Sequence, residues 1–367
     1  MSQKTMTRNL TFGADDRLLV FAPHPDDETL ATGELIQLAV GAGAAVRVVF
    51  ATDGDNNPWP QRWFERRLRI GSADRLRWGA RRRSEAQAAL AHLGVGAEAT
   101  HFLGWPDLDL TRKLVSDDAA IDVLSAEVAG FSPTHVAIPS LRDRHPDHGA
   151  LRVMLDLAMA KARARCVRLG YAVHGRGADS GEWQLMPDAA RHQRKREALF
   201  AHASQISLSR RRLLRWVEQI ESFEQAEPEA PIAVHAISAD SVLRIPLLPA
   251  HRFWRRHDLL LVLAGRDKIE RLRLRLPRLM RPGASSVLAE GLCAGRVTIE
   301  LIEGALQITF AGGEDGGASG YVKLERSWPR VVIFDTSTWQ RLEDFPMLQS
   351  ADAAQAKALR VPQRAST

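Results

Sequence analysis

The chain has 367 residues, 45% hydrophobic and 26% charged, enough apolar material for a sizeable core and two domains. Its two cysteines, Cys166 and Cys293, stand far apart, which excludes a disulfide framework and suits a reducing compartment; residues 1–12 are polar and no run approaches ~20 apolar residues, so neither a leader nor a spanning helix is read and a cytoplasmic location is expected. The formal net charge is +6, and 43 of the 50 basic residues are arginine, a bias that reflects either codon preference or anionic partners.

After a tail over residues 1–14, the apolar run 17–22 predicts a buried strand, and the spacing of Leu35, Ile36, Leu38 and Ala39 predicts a helix over 30–40. Between them stands Pro23-His24-Pro25-Asp26-Asp27-Glu28. This is a strand-to-helix turn, where open parallel sheets bind ligands and the free N–H groups of a helix start favour anions. His24 and Asp27 are three apart, so a turn held by Pro25 can bring an imidazole nitrogen and a carboxylate onto one metal ion. Asp26 then points elsewhere, beside the ion but not on it, placed to take a proton from a water there. Taken alone, the turn also fits a plainer reading, with Asp26 or Asp27 capping the helix and His24 on the surface.

Residues 45–51 predict a second strand, ending in Thr52-Asp53-Gly54-Asp55. Asp53 is either a cleft residue bonding near the metal or the substrate, or a turn aspartate before Gly54. Asn56-Asn57-Pro58-Trp59-Pro60 is read as a loop at the rim of the site, neither helix nor strand. The arginines from Arg62 to Arg83 interleave with Trp63, Phe64 and Trp78; further clusters fall in 191–215 and 252–281. They either grip an anionic ligand or are solvated helix faces with Trp63 and Trp78 in the core. No zinc-knuckle, helix-turn-helix or RNA-binding signature accompanies them, so no nucleic-acid partner is expected, while peripheral contact with a membrane stays open.

Residues 79–93 predict a helix carrying Arg82 and Glu85, which are three apart and able to pair; Arg82 is also a candidate substrate contact. A short strand over 101–103 runs into Gly104-Trp105-Pro106-Asp107, and 118–128 predict another helix. Residues 134–139 then form a buried strand that runs into Ser140-Leu141-Arg142-Asp143-Arg144-His145-Pro146-Asp147-His148, ahead of a helix over 151–160. This second His-Pro-Asp supplies His148 as a third protein ligand and leaves a fourth position for water. His145 is expected in the same cleft as proton donor or oxyanion partner, oriented by Asp147. With a strand over 166–174 and a helix over 195–204, the alternation predicts an α/β fold with a Rossmann-like, doubly wound, mostly parallel sheet. No Gly-x-Gly-x-x-Gly follows the first strand, so no dinucleotide cofactor is expected. His174 is read either as a cleft residue or as a surface one.

Taken in order over about residues 15–225, these motifs make the sequence resemble the LmbE-like or PIG-L family of zinc-dependent de-N-acetylases. The family's Ala-His-Pro-Asp-Asp-Glu stands here with Pro23 in place of Ala, and its Thr-Asp-Gly is Thr52-Asp53-Gly54. Its Arg-x-x-Glu runs from Arg82 to Glu85, followed by Leu93-Gly94, and its Leu-Gly-x-Pro-Asp from Leu103 to Asp107. Its His-Pro-Asp-His is 145–148, and a late Ser-Gln is Ser204-Gln205. The resemblance implies one Zn2+ per chain held by His24, Asp27 and His148, with Asp26 as general base and His145 as general acid or oxyanion stabiliser. It implies an N-acetylated amino sugar as substrate, of glucosamine type, often joined to a lipid, inositol, malate or glycopeptide. Members acting on thiol-precursor sugars tend to carry a Tyr just ahead of the last motif, where this chain has Arg142, Asp143 and Arg144, a departure that speaks against that subgroup.

Residues 218–231, acidic and proline-bearing, read as a boundary and close a deacetylase domain over 15–228. Strand signals at 242–248, 259–263, 272–276, 297–302, 306–310, 321–324 and 331–334, with a tight turn at Glu303-Gly304, predict a β-sandwich accessory domain over 232–350 and a loose tail over 351–367. It either contacts an anionic part of the substrate or a partner surface, or only covers apolar surface of the catalytic domain. Beside the zinc hydrolase stand two other readings: a glycan-binding scaffold without turnover, which an intact His24, Asp26, Asp27, His145 and His148 set argues against, and a two-metal phosphoesterase, which needs more carboxylates than Asp53 adds.

Overall fold

The structure, a computed structural model, describes residues 8–174 and 182–226, then 242–246, 257–264, 269–275, 286–292, 295–302, 305–311, 319–326, 334–335, 337–342 and 347–348. The chain divides into two compact units, Met1–Glu227 and Pro228–Thr367.

The strands of the first unit are β1 (Arg8–Asn9), β2 (Arg17–Ala22), β3 (Ala45–Thr52), β4 (Thr100–Trp105), β5 (His135–Pro139), β6 (Val167–Tyr171), β7 (Trp183–Gln184) and β8 (Ser222–Gln225). Its helices are α1 (Asp27–Gly41), α2 (Pro58–Glu65), α3 (Ser72–His92), α4 (Leu110–Ser116), α5 (Ala119–Phe131), α6 (Pro146–Lys161), α7 (Ala189–Ala201) and α8 (Ala203–Val217). They build one sheet in the order β1-β7-β8-β6-β5-β2-β3-β4, in which β6, β5, β2, β3 and β4 run parallel and β8 antiparallel to β6 and β7. The mostly parallel sheet expected from the alternation is therefore present.

β2 is central, paired with β3 on one side and β5 on the other. Helices cover both faces of such a strand, which is why it reads as an unbroken apolar run rather than an alternating one. Leu18, Val20 and Ala22 share a core with Leu35, Ile36 and Ala39 of α1 and Ala86, Ala89 and Leu90 of α3. Each fully buried leucine contributes about 1.5–3 kcal/mol, so the carboxyl end of β2 is fixed by its neighbours. Strand order reverses between β2 and β5; connections leave these two strands in opposite directions and open a crevice at their carboxyl ends.

The helices begin earlier than their apolar spacing shows, α1 at Asp27 and α3 at Ser72. Of the segment read as loop at 56–60, Asn56 and Asn57 lie outside any helix, but Pro58 to Pro60 are the start of α2. The first N–H groups of a helix need no partner within it, so Pro58 and Pro60 sit there without loss, and Asn57 caps the helix by accepting the Trp59 N–H at 3.3 Å. Among the described residues no helix is long and apolar enough to cross a membrane.

In the second unit β9 (Val242–Pro246), β10 (His257–Ala264), β11 (Ile269–Arg275), β12 (Ser286–Leu292), β13 (Gly295–Ile302), β14 (Ala305–Ala311), β15 (Ser319–Arg326), β16 (Gln340–Arg341) and β17 (Met347–Leu348) form two antiparallel sheets. Their orders are β11-β10-β15-β16 and β12-β13-β14-β9-β17. β12 has no counterpart among the expected strands, and 331–333, the turn at 303–304 and the tail at 351–367 lie outside the described residues.

Candidate metal and catalytic centre

Pro23 to Asp26 carry the chain from β2 into α1, and Asp26 does so at φ 144°, a backbone region that favours glycine. The turn is held by three groups. The Thr52 N–H and hydroxyl donate to the Pro23 carbonyl at 3.0 and 2.9 Å. Arg82 Nη2 donates to the Pro25 carbonyl at 2.6 Å and lies 3.2 Å from Asp26 Oδ1, while its Nη1 donates to the Gly54 carbonyl at 2.9 Å. The Asp26 N–H donates to Glu28 Oε2 at 2.9 Å. Asp26 occupies the N-cap position without a side-chain capping bond, so its carboxylate is not used on the helix.

The second turn opens α6, with His145 as N-cap, Pro146 next and Asp147 and His148 buried in the first turn. His148 Nδ1 lies 2.9 Å from Asp143 Oδ2, and Asp143 also accepts the backbone N–H groups of His145, Val173 and His174 at 2.9, 2.8 and 3.0 Å. Asp143 thus holds a proton on Nδ1 and turns Nε2 inward. That Nε2 lies 3.1 Å from Asp27 Oδ2 without the alignment of a hydrogen bond, and the same oxygen lies 3.2 Å from His24 Nδ1. His24 Nε2 faces Asp107 Oδ1 at 3.2 Å and Asp147 Oδ2 at 3.3 Å. The His145 ring centre is 4.7 Å from that of His24 and 5.0 Å from that of His148. Three overlapping groups have ligand atoms within 4.8 Å of one another: His24, His145 and His148; His24, Asp107 and Asp147; Asp143, His148 and His174.

Four buried carboxylates thus crowd two imidazoles. Burial opposes a charge on either ring; even so, Asp107, Asp147 and Asp27 hold His24 well above its ordinary range, and Asp143 and Asp27 push His148 up to about 10. Burial also works to raise Asp27 and Asp143, yet His148 beside them holds both well below the usual carboxylate range. The cluster draws positive charge, here as protons on imidazole. A divalent cation that takes imidazole and carboxylate ligands fits the same donors, and the orphaned Nε2 of His148 has the place of a ligand atom. Asp26 differs from Asp27: burial raises its pKa, with Arg82 pulling the other way, so it holds a proton more readily than an ordinary aspartate. Burial and then His24, His148 and His174 keep His145 well below its usual range, hence neutral. Its Nδ1 accepts the Asp147 N–H at 3.3 Å, so the ring proton is assigned to Nε2.

The structure brings His24, Asp26, Asp27, His145 and His148 together from two strand ends. Asp147 joins them, but its carboxylate accepts the Leu108 and Leu110 N–H groups at 2.7 and 3.1 Å and faces His24 instead of orienting His145. Arg82 is buried on the first turn and does not pair with Glu85, which accepts the Ser204 N–H and hydroxyl at 3.1 and 2.5 Å. Asp53 forms a two-pronged pair with Arg83, Nε at 2.7 Å and Nη2 at 2.6 Å. His174 lies at the edge, its ring 5.0 Å from that of His148. Sequence reasoning assigned no part to Asp107, Asp143 or His202, whose Nε2 lies 3.0 Å from Glu28 Oε1. Only Asp107 left a signal, as the last residue of Leu-Gly-x-Pro-Asp.

Residues 19–159 match the family model PIG-L, GlcNAc-PI de-N-acetylase. A 1D-myo-inositol 2-acetamido-2-deoxy-alpha-D-glucopyranoside deacetylase of Mycobacterium sp. (strain KMS) is 35% identical over 176 residues, 44% of this chain and 55% of that protein. The chain spans about half the length of the curated relatives it matches. Among solved structures, the zinc-inhibited form of teicoplanin deacetylase is 20% identical at TM-score 0.44, over 55% of this chain and 90% of that one. N,N'-diacetylchitobiose deacetylase from Pyrococcus horikoshii is 18% identical at TM-score 0.44, over 59% and 88%.

Proposed function

From the PIG-L family domain that the chain carries over residues 19–159, we infer that it is a zinc-dependent hydrolase removing the acetyl group from an N-acetylated amino sugar of glucosamine type. One observation carries this: Asp27 Oδ2 lies within 3.2 Å of both His24 Nδ1 and His148 Nε2, beside the carboxylate of Asp26, which pairs with Arg82 and caps no helix N–H. The acetamido sugar named for the mycobacterial relative supports the substrate class.

His24, Asp27 and His148 are the residues that would hold one zinc ion, a set that leaves a fourth position open. Held by these residues, zinc would polarise the acetyl carbonyl and ease loss of a proton from the attacking water. Asp26, fixed by Arg82, accepts that proton. The water oxygen bonds to the acetyl carbon, the C–N bond breaks and the proton passes to the departing amine, giving acetate and the free amino sugar. His145 donates its Nε2–H to the acetyl oxygen as that oxygen gains charge. Asp143 fixes the His148 ring, and His174 at the edge of the cluster is a substrate contact. Asp53 and Arg82 serve the site by holding its loops.

The test is acetate release from a panel of N-acetyl amino sugars by zinc-loaded protein, with zinc counted per chain. About one zinc is expected for a single such ligand set, and His148→Ala should lose metal and activity together. Full zinc in His148→Ala would remove His148 from the ligand set, and no acetate from any sugar by fully loaded protein would sink the deacetylase reading.

A further inference from the structure

We propose that α2, the turn after it and the start of α3 form, together with α8, a docking surface for an anionic phospholipid bilayer. Between Pro58 and Arg81 the chain has seven arginines against two acidic residues, and α8, which packs on α2, has four arginines and no acidic residue. The two acidic residues are used within the segment. Arg77 Nη2 lies 2.5 Å from Glu65 Oε2 and 2.9 Å from Asp74 Oδ1, and Arg67 Nη1 lies 2.7 Å from Asp74 Oδ1. Arg66, Arg69 and Arg75, and Arg211, Arg212 and Arg215 on α8, are exposed and have no acidic partner among the described residues.

The apolar side chains here stand in water to an unusual degree. Leu68 is 90% exposed, Leu76 74%, Trp63 65% and Trp59 64%, and Leu208 on α8 adds 47%. Trp59 and Trp63 are one turn apart on α2 and share a face. The segment is braced, because Gln61 Nε2 donates to the Asp74 carbonyl at 2.7 Å and the buried Trp78 meets Phe64 ring to ring at 5.8 Å. Tryptophan and leucine that enter the acyl boundary, next to arginines that stay at the headgroups, are the chemistry of an interfacial element. A nucleic acid could take the arginines and stack on the tryptophans, but it offers nothing to Leu68 and Leu76.

The surface joins the candidate centre through its own chain. The Asn56 N–H, just before α2, donates to Asp107 Oδ2 at 2.9 Å, and Asp107 faces His24; Arg82 of α3 holds Asp26. Docking would thus set the bilayer beside elements that carry the site. Vesicle binding needs no turnover, so it stands or falls separately from the deacetylase activity.

The experiment is co-sedimentation of the full chain with vesicles of phosphatidylcholine alone or with about one third phosphatidylglycerol. Binding is expected to the anionic vesicles only, and it should weaken as salt rises. Arg66→Gln with Arg69→Gln should weaken it about fivefold per arginine, on the order of 25-fold together. Leu68→Ser with Leu76→Ser should lose binding with the melting temperature unchanged, since both side chains are exposed. Equal binding to both vesicle types, binding to neither, or variants that bind like the parent would each overturn the proposal. So would tight binding to an oligonucleotide, lost in the arginine variant, without vesicle binding.

Discussion

Asp26 and Asp27 are adjacent carboxylates in opposite surroundings. Asp27 faces two imidazoles that keep it ionised, whereas burial, against the pull of Arg82, leaves Asp26 readier to hold a proton. If Asp26 is the base and not a ligand, Asp26→Asn should keep its zinc and lose roughly 10²- to 10⁴-fold in turnover. Elemental analysis and acetate release on one preparation check this, and near-normal turnover would mean that another group takes the proton. Away from the cluster, half-buried His135 is held below its ordinary range by burial, with Asp16 working against the shift. A lowered imidazole pKa means the folded state prefers the neutral ring. Its contribution is therefore complete above the unfolded value of about 6.5 and is lost as pH falls through that value toward the folded one. His135→Gln should flatten the drop in melting temperature between about pH 7 and 5; an unchanged slope would clear His135 of any part in it. The residues legible in sequence, His24, Asp26, Asp27, His145 and His148, come packed in short motifs. Asp143 was not, because it receives N–H groups from Val173 and His174, just past β6, and from the ring of His148, partners that meet only once β5 and β6 pair.

Among the elements, β2 and β5 could be read directly, since strands buried on both faces keep unbroken apolar runs. α2 could not, because Pro58 and Pro60 resemble loop punctuation until they are placed in a first turn, where they cost nothing. Its existence makes Asn57 a capping residue, and Asn57→Ala should destabilise the first unit by about 0.5–2 kcal/mol, with Asn57→Asp close to the parent. Urea unfolding would show this as a shifted midpoint at constant slope, and no difference between the two variants would deny the cap. β12 was hidden for another reason: its sequence Ser-Val-Leu-Ala-Glu-Gly-Leu has a single β-branched residue and a glycine, so pairing with β13 rather than propensity decides it.

At the scale of the whole molecule, every residue given a part in the chemistry lies within Met1–Glu227. A chain ending at Glu227 should therefore bind zinc and turn over a small N-acetyl sugar within about threefold of the full chain, well inside the tenfold that 1.4 kcal/mol of barrier would give. Loss of metal from that shortened chain would assign the second unit a structural part. The backbone of Asp26, held at φ 144°, also reaches this scale. A non-glycine residue there costs about 1–3 kcal/mol that the rest of the fold must carry. Asp26→Gly should accordingly outlast Asp26→Ala in denaturant by about 1–2 kcal/mol, both having lost the same carboxylate. If Asp26 is the base, the carboxylate that the chemistry needs stands where the backbone would be better served by glycine. A laboratory screen that rewards heat resistance alone would then be drawn toward the one glycine that removes the proposed base.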